Sequence, residues 1–252
     1  MKNKISEHRP KHYYYSEKEL GRYLAGLIDG DGNIGKNGYI TIVFCERDVS
    51  LAYRLKKLVG YGSVRKVKDK KAWIYVISNK EGVVKVATWI RDKLCLESKV
   101  EAYNNYLVPR YGIDKTKLGE VSLDNGWLSG FIDSDGSLRI YTLKREGKPN
   151  EEVRLLLQID QKTKMILSKI QKLLGGYLGY RAKHDTYYYS TVSYGNIYKV
   201  LKYIDKYPLQ SNVKHLQYMY IRKSYILIQE KKHLTEKGMI KLKNYLRRSK
   251  GL

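Results

Sequence analysis

Cysteine is scarce in this chain of 252 residues, which contains only Cys45 and Cys95. Two thiols exclude a disulfide framework and a zinc cluster, and they fit a reducing compartment. Long apolar runs are also missing. No run approaches the length of a membrane span, and the polar segment from Met1 to Lys11 lacks the apolar region of a signal peptide. The sequence therefore predicts no association with a membrane.

Acidic residues are half as common as basic ones. The chain has 25 Asp and Glu against 49 Lys and Arg, which gives a formal net charge of +24. The excess is spread along the whole chain, and such a field attracts polyanions and supplies affinity for nucleic acid through counterion release. Phenylalanine is nearly absent, with 2 Phe against 25 Tyr, and a tyrosine ring suits a wet interface and a core equally well. Nucleic acid is the expected partner.

A nine-residue segment occurs twice in the chain. Residues 24–32 read LAGLIDGDG, and residues 128–136 read LSGFIDSDG, 104 positions later. A repeat of this length indicates one structural unit used twice, and two copies in one chain can mimic a two-fold dimer. Small residues four apart let two helix backbones approach closely. We therefore expect the two motif helices to pack together at the domain interface through Gly26, Gly30, Gly130 and Ser134.

The rest of each copy has the same predicted order of elements. Ser16 opens the first helix, with Glu19 three residues later completing a capping box, and the apolar stripe that follows has helical spacing. Turn and strand signals then give the order α-β-β-α-β-β-α in both copies. The predicted parts are a basic N-terminal arm (1–15), a first domain (16–110), a linker (111–122), a second domain (123–230) and a basic C-terminal tail (231–252). The arm reads as flexible or as an added edge.

Each motif helix ends in two acids, Asp29 and Asp31 in the first copy and Asp133 and Asp135 in the second. A carboxylate at a helix C-terminus opposes the helix dipole, and neighbouring carboxylates repel each other. Such an arrangement suits a divalent cation, which favours clustered carboxylate oxygens. A solvated cap would explain one copy, but two near-identical copies favour a metal site. The spacing alone does not decide which acid of each pair is the ligand.

These segments resemble the signature of the LAGLIDADG homing endonucleases, and the resemblance covers about residues 16–230. It implies an α+β fold of two pseudo-two-fold-related domains that form a β-saddle, with the motif helices packed at the interface. It also implies that Asp31 and Asp135 bind the catalytic metal, helped by the backbone carbonyls of Gly30 and Ser134. Two or three Mg²⁺ ions would be shared between the two aspartates.

The resemblance also implies a supporting shell. A polar residue at the end of the second strand orders water around the metals in that family, and Glu46 and Gln161 occupy this place. Gln161 matches the family's frequent choice, whereas Glu46 departs from it and would add charge to the site or be solvated. A basic residue late in each copy helps to position the nucleophilic water, and the shared spacing Lys-x-x-x-Tyr places this role on Lys99 and Lys214.

Strands lying in the major groove can present side chains to base edges. Each candidate contact has a simpler alternative as a solvated charge, and a register error of one residue reverses which side chains face the DNA. The candidate DNA-binding residues are Lys36, Tyr39, Arg65, Lys66, Lys68, Lys70, Lys71, Arg139, Tyr141, Lys144, Arg145, Arg154, Arg181, Lys183, His184, Tyr187 and Tyr189.

The predicted function is a metal-dependent endonuclease that makes a staggered double-strand break in a long, pseudo-palindromic DNA target during intron or intein homing. Each copy would cut one strand, in a protein that is a monomer with internal symmetry. The ending Gly251-Leu252 lacks intein splicing residues, which favours a free-standing or intron-encoded protein in an organelle or an archaeal cytoplasm. The alternatives are an RNA-binding maturase that assists group I intron splicing and a catalytically silent DNA-binding regulator.

Overall fold

The computed structural model describes residues 4–8, 10, 15–147 and 151–251. It forms two compact units. The motif unit comprises residues 15–135 and 209–212, and the C-terminal unit comprises the remaining described residues. Tyr13, Tyr14 and residues 148–150 of the long loop in the second copy lie outside the described residues. Among the residues described, no helix has both the length and the apolar character needed to cross a membrane.

The motif unit contains the first copy of the repeat and the second motif helix. Its helices are α1 (Glu17–Asp31), α2 (Val49–Val59), α3 (Lys80–Ile90), α4 (Glu97–Ala102), α5 (Val108–Tyr111) and α6 (Trp127–Asp135). Its strands are β1 (Gly32–Ile34), β2 (Ile40–Cys45), β3 (Ser63–Lys66) and β4 (Ala72–Ile77). The strands form one antiparallel sheet in the order β1-β2-β4-β3. The predicted order of elements is confirmed in this copy.

The C-terminal unit repeats the sheet and adds a further helix. Its strands are β5 (Gly136–Leu143), β6 (Glu152–Gln161), β7 (Tyr177–Arg181) and β8 (Thr186–Thr191), and its helices are α7 (Lys164–Leu174), α8 (Tyr194–Lys206), α9 (Asn212–Gln229) and α10 (Glu236–Lys250). The sheet is antiparallel in the order β5-β6-β8-β7, the same as in the first copy. The prediction of an α+β fold with two such sheets is confirmed.

The division between the units differs from the boundaries suggested by the repeat. The helix α6 belongs to the second copy in sequence, yet it packs against α1 in the motif unit. The reason is local: Gly26 and Gly130 have no side chains that would hold the two helices apart.

The capping box at the start of α1 differs from the prediction. Ser16 Oγ accepts from Glu19 N at 3.4 Å, but Glu19 Oε2 accepts from Gly126 N at 2.9 Å, so its carboxylate binds the start of the second motif helix.

The described segments near both ends of the sequence, residues 4–8 and the helix α10, belong to the C-terminal unit. Ile5 is buried, and its backbone N–H and C=O are bound by the side-chain amide of Gln229, at 2.7 and 3.2 Å. Arg222 Nη2 donates to the carbonyl oxygen of Ser6 at 2.9 Å. Residues 4–8 are therefore fixed against α9, and the expectation of a flexible arm is wrong for them. The predicted tail forms α10, which packs beside β5 and buries Leu242 completely.

Candidate metal site and nucleic-acid surface

The two motif helices touch through their backbones. A Cβ atom on Gly26 would lie 1.9 Å from the carbonyl oxygen of Trp127, and one on Gly130 would lie 2.0 Å from that of Tyr23. One turn further on, a Cβ atom on Gly30 would lie 1.9 Å from Ser134 Oγ. Real side chains do not approach backbone atoms this closely. The predicted seam of four small residues is therefore present between α1 and α6.

The seam brings the last carboxylates of both helices to one place. The backbone of Gly30 lies beside the carboxylate of Asp135, whose Oδ2 would be 2.9 Å from a Cβ atom there, and Asp31 is the next residue. The ammonium group of Lys99 donates to the carbonyl oxygen of Gly32 at 2.6 Å. Burial lowers the pKa of Lys99, while the nearby carboxylates of Asp29, Asp135 and Asp31 oppose that change. The site thus combines two aspartates from different helices with one lysine.

The donor set suits a hard divalent cation. Within the residues that the structure describes, no group of three or more His, Cys, Asp or Glu side chains is arranged to hold a metal. The available ligands are instead two carboxylates and the carbonyl groups at helix C-termini, where the last four carbonyls have no partner within the helix. Two helix ends and two aspartates concentrate negative potential. Oxygen ligands of this kind fit Mg²⁺ better than a soft transition metal.

The other acid of the first motif is buried and has a structural environment. Asp29 Oδ2 accepts from Cys95 N at 2.7 Å and from Trp127 Nε1 at 2.8 Å, and its Oδ1 accepts from Leu96 N at 3.4 Å. Burial raises the pKa of Asp29 to about 7, and these hydrogen bonds oppose the rise. Because its oxygens are occupied by the protein, Asp29 holds α6 and the start of α4.

The second motif has the equivalent arrangement. Asp133 Oδ2 accepts from Gln210 N at 2.7 Å, from Ser211 N at 3.1 Å and from Tyr23 Oη at 2.8 Å. Burial raises the pKa of Asp133 to about 7, again against these hydrogen bonds. Its Oδ1 is buried and has no hydrogen-bond partner among the described residues. We call Asp29 and Asp133 the inner acids and Asp31 and Asp135 the outer acids. Both carboxylate oxygens of Asp29 accept hydrogen bonds, whereas among the described residues only Oδ2 of Asp133 does.

The remaining predicted shell residues are Lys214 in α9, Gln161 in β6 and Glu46 directly after β2. Lys214 Nζ donates to the carbonyl oxygen of Gly136, as Lys99 does to that of Gly32. Gln161 is half-buried at the end of β6. Glu46 is exposed, directly after β2, and its carboxylate lies 3.4 Å from Lys66 Nζ. The negative charge of Glu46 is therefore partly offset by a lysine of the same sheet.

The first sheet exposes few basic side chains on its open face. By strand alternation that face carries Arg65, Asn33, Thr41, Val43 and Ile74. Four predicted basic contacts, Lys36, Lys68, Lys70 and Lys71, lie in exposed turns beside the strands, and Tyr39 lies just before β2. The register pairs Lys66 with Trp73, which places Lys66 on the opposite face from Arg65, where it binds Glu46.

The second sheet has a more charged open face. Arg139, Tyr141, Arg154 and Arg181 all lie on it by strand alternation. Glu152 binds Arg154 Nε at 2.8 Å and Arg145 Nε at 2.6 Å. Lys144, Lys183 and His184 are exposed in the connections.

Asp160 organises a second group on this face. It binds the guanidinium of Arg181, and its Oδ2 accepts from Gln158 Nε2 at 2.6 Å. The guanidinium carbon of Arg181 lies 4.4 Å from the centre of the Tyr188 ring. The sequence interpretation missed Gln158, Asp160 and Tyr188. The alternation of polar and apolar residues along β6 was the signal that could have indicated the first two.

The register corrects the predicted DNA contact at Tyr189 and places Tyr187 on the same side of β8. Tyr189 is completely buried, and its hydroxyl donates to the carbonyl oxygen of Gly175 at 2.8 Å, so the prediction that it binds DNA is wrong. Tyr187 lies on the same side of β8 as Tyr189 and packs against Tyr180, with ring centres 4.9 Å apart. This is the register error of one residue that alternation makes possible.

The helix α10 extends the charged surface past the edge strand β5. The cavity between them is lined by Arg139, Tyr141, Gln217, Ser249 and Lys250. Arg247 and Lys250 are exposed near the end of the helix. The helix also covers an edge that would otherwise be open to pairing with another strand.

Comparisons with known proteins agree with this fold. The sequence model of the family described as LAGLIDADG endonuclease matches residues 128–225. A cox1 intron-2 protein of Schizosaccharomyces pombe is 46% identical over 248 residues, which are 95% of this chain and 76% of that protein. The intron-encoded DNA endonuclease ai2b of Dictyostelium discoideum is 29% identical over 206 residues, covering 76% of this chain and 74% of that one.

Two further similarities bear on the fold and on the alternatives. The intron-encoded RNA maturase bI4 of Saccharomyces cerevisiae is 30% identical over 193 residues, which are 74% of this chain and 26% of that protein. The solved structure of I-SmaMI bound to uncleaved DNA target in the presence of calcium ions has a TM-score of 0.70 at 20% identity, covering 90% of this chain and 97% of that chain. With the repeated motif, the two like sheets and the packed motif helices, these similarities show that the chain belongs to the LAGLIDADG endonuclease family.

Proposed function

We propose that this protein is a site-specific DNA endonuclease that makes a staggered double-strand break by metal-dependent hydrolysis of phosphodiesters. The observation that carries the proposal is the pair of motif helices that meet backbone to backbone and end in Asp31 and Asp135, with Lys99 beside both. Two carboxylates at two helix ends destabilise a protein unless a cation is bound there. The I-SmaMI structure with DNA and calcium supports this assignment.

The ligands for Mg²⁺ would be the carboxylates of Asp31 and Asp135 and the carbonyl oxygens of Gly30 and Ser134, with two or three ions shared between the aspartates. When bound, Mg²⁺ stabilises the attacking and leaving oxygens of the phosphodiester. The ammonium group of Lys99 supplies a fixed positive charge that offsets charge developing on the phosphate. Lys214 is assigned the same role in the second copy, and Glu46 and Gln161 are assigned the ordering of water.

The two sheets suggest how the target is read. Each copy would read one half-site and cut one strand, so that one chain does the work of a dimer. Because the open faces carry different side chains, the target would be long and only pseudo-palindromic. The names of the relatives support an intron-encoded protein of an organellar gene over an archaeal one, and homing of that intron would be the biological role.

A cleavage assay tests the proposal. A plasmid library that contains candidate targets, including the intronless sequence of the host gene, is incubated with the full chain and Mg²⁺. We expect a linear product from one target, no product when EDTA removes the metal, and cohesive ends on sequencing. An absence of cleavage of the whole library, at protein concentrations that bind duplex DNA, would contradict the proposal.

The second candidate function is RNA maturation, which the similarity to the bI4 maturase favours. The same basic surface would then bind a structured group I intron. A competition measurement at near-physiological salt separates the two functions. The endonuclease proposal expects one duplex sequence to outcompete bulk DNA, whereas a maturase that is not a nuclease would prefer the intron RNA and leave all duplexes equivalent.

A further inference from the structure

Two aromatic side chains connect the motif helices in a reciprocal way. Trp127 of α6 donates its indole N–H to Asp29 of α1, and Tyr23 of α1 donates its hydroxyl to Asp133 of α6, both at 2.8 Å. The two donors are 104 residues apart in the chain, and so are the two acceptors, which is the offset of the repeat. Both aromatic side chains are fully buried. Each motif helix therefore binds the inner acid of the other.

Each inner acid in turn holds the backbone just before a lysine. Asp29 binds the N–H groups of Cys95 and Leu96, four and three residues before Lys99. Asp133 binds the N–H groups of Gln210 and Ser211, four and three residues before Lys214. The spacing is identical in the two copies. Such bonds fix where the following helical turn begins, because they occupy N–H groups that have no partner within the helix.

The ammonium groups of the two lysines bind equivalent backbone carbonyl groups. Lys99 donates to the carbonyl of Gly32, the residue after Asp31, and Lys214 donates to the carbonyl of Gly136, the residue after Asp135. A continuous series of hydrogen bonds therefore runs from Trp127 through Asp29 to the segment that carries Lys99. An equivalent series begins at Tyr23 and reaches residues 210 and 211, which lead directly into Lys214.

We propose that Trp127 and Tyr23 are positioning residues, each of which sets the lysine of the other copy through the inner aspartate of the facing motif helix. The inference rests on the proposed function, in which Lys99 and Lys214 each serve the cleavage of one strand. Its consequence is that removing one donor weakens one strand cut more than the other, because the two series share no residue.

The test measures the two strand cuts separately on a duplex labelled at both ends. The variants Lys99→Met and Lys214→Met first identify which strand depends on which lysine. We expect Trp127→Phe to slow the strand that depends on Lys99 about tenfold, with a smaller effect on the other strand. Tyr23→Phe should slow the cutting of the DNA strand that depends on Lys214. A lost hydrogen bond to a buried carboxylate is large enough for a change of this size.

Tyr75→Phe is the matched control. It removes a hydroxyl of a buried side chain in the motif unit, which donates to the carbonyl of Tyr61 at 2.6 Å and belongs to neither series of hydrogen bonds. The ratio of the two strand rates should stay at its wild-type value. The wild-type protein is measured beside the variants as the reference. If Tyr23→Phe and Trp127→Phe each slowed both strand cuts equally, the inference would be overturned and both residues would have a purely structural role.

Amide hydrogen exchange gives a readout that needs no cleavage. Trp127→Phe should speed amide exchange at residues 95 and 96 and leave residues 210 and 211 unchanged. Tyr23→Phe should speed exchange at residues 210 and 211 and leave residues 95 and 96 unchanged. Unchanged exchange at both segments would overturn the inference even if no target were ever cut. Tyr23→Phe deletes a single oxygen, so it remains decisive if Trp127→Phe does not fold. Failure of the wild-type protein to cleave would count against the proposed function alone.

Discussion

The open faces of the two sheets carry different side chains, although the sheets have the same strand order. The first face has Arg65 as its one arginine among the described strand residues, beside apolar Val43 and Ile74. The second has Arg139, Arg154 and Arg181, two of them bound by acids of the same sheet. A guanidinium held by an acid loses less freedom when it binds a base. The motif helices, in contrast, agree in both copies.

This contrast separates two tasks of the proposed function, namely cleavage at the motif helices and recognition of the target by the sheets. The seam and the proposed metal site depend on close backbone approach and on a pair of carboxylates, so both copies have small residues and an aspartate at matching positions. Under the proposed function the sheets would read a target that is only pseudo-palindromic, and such a target leaves their open faces free to differ. If this division is correct, matched substitutions in the motif helices give equal effects, and matched substitutions in the sheets do not.

The largest expected effect is at the metal site. Asp31→Asn and Asp135→Asn should each lower double-strand cleavage by roughly 10³-fold or more, since a metal ion supplies several kcal/mol of charge stabilisation. Binding of target DNA without metal should persist or tighten, because a repulsive charge is removed. Single-turnover rates and binding titrations check both expectations. Wild-type cleavage by both variants would show that the metal ligands are elsewhere.

The next effect is on stability. Gly26→Ala and Gly130→Ala should each destabilise the protein by about 3 kcal/mol or more, because the new Cβ atom would lie within 2.0 Å of a backbone carbonyl oxygen of the facing helix and force the two backbones apart. Thermal and urea unfolding measure the loss. Gly126→Ala is the matched control, since its Cβ atom would lie 3.3 Å from the Tyr15 side chain and should change stability by less than about 1 kcal/mol. Unequal losses at Gly26 and Gly130 would break the symmetry of the seam.

A smaller effect is expected on base preference. Arg181→Ala should relax the preference at one base pair by about 1–3 kcal/mol, because Asp160 and the Tyr188 ring hold its guanidinium in place. Among the described residues, Arg65 has no carboxylate bound to its guanidinium, so Arg65→Ala should relax the preference less. Selection from a randomised target library measures both. A larger loss of base preference in Arg65→Ala than in Arg181→Ala would contradict the expectation that the second sheet holds its arginines more firmly than the first.

The smallest effect is electrostatic. Neutralising Arg247 and Lys250 together (Arg247→Gln with Lys250→Gln) should weaken binding to all duplex sequences alike. The slope of log affinity against log salt should become shallower by about 0.9 for each phosphate that the variant no longer neutralises. The helix α10 would then extend the second sheet with phosphate contacts only. A change in base preference without a change of slope would assign base reading to this helix instead.

The sequence by itself determined the repeat and the order of elements, and its resemblance to the LAGLIDADG signature pointed to Asp31 and Asp135 as the metal ligands. These features are local, because helical spacing, turn residues and a nine-residue motif are read within one segment. It also identified the small residues of the seam. It did not determine that residues 4–8 are fixed by α9, or that Glu19 binds the start of the second motif helix.

Only the tertiary structure decided the contacts that join distant segments. Trp127 and Asp29 are 98 residues apart, and Tyr23 and Asp133 are 110 apart. No spacing rule links such positions, since packing of whole elements brings them together. The same holds for the side of a strand on which Tyr189 lies, because a shift of one residue in register reverses every side chain. Local pattern gives the parts and their chemistry, and packing determines which atoms meet.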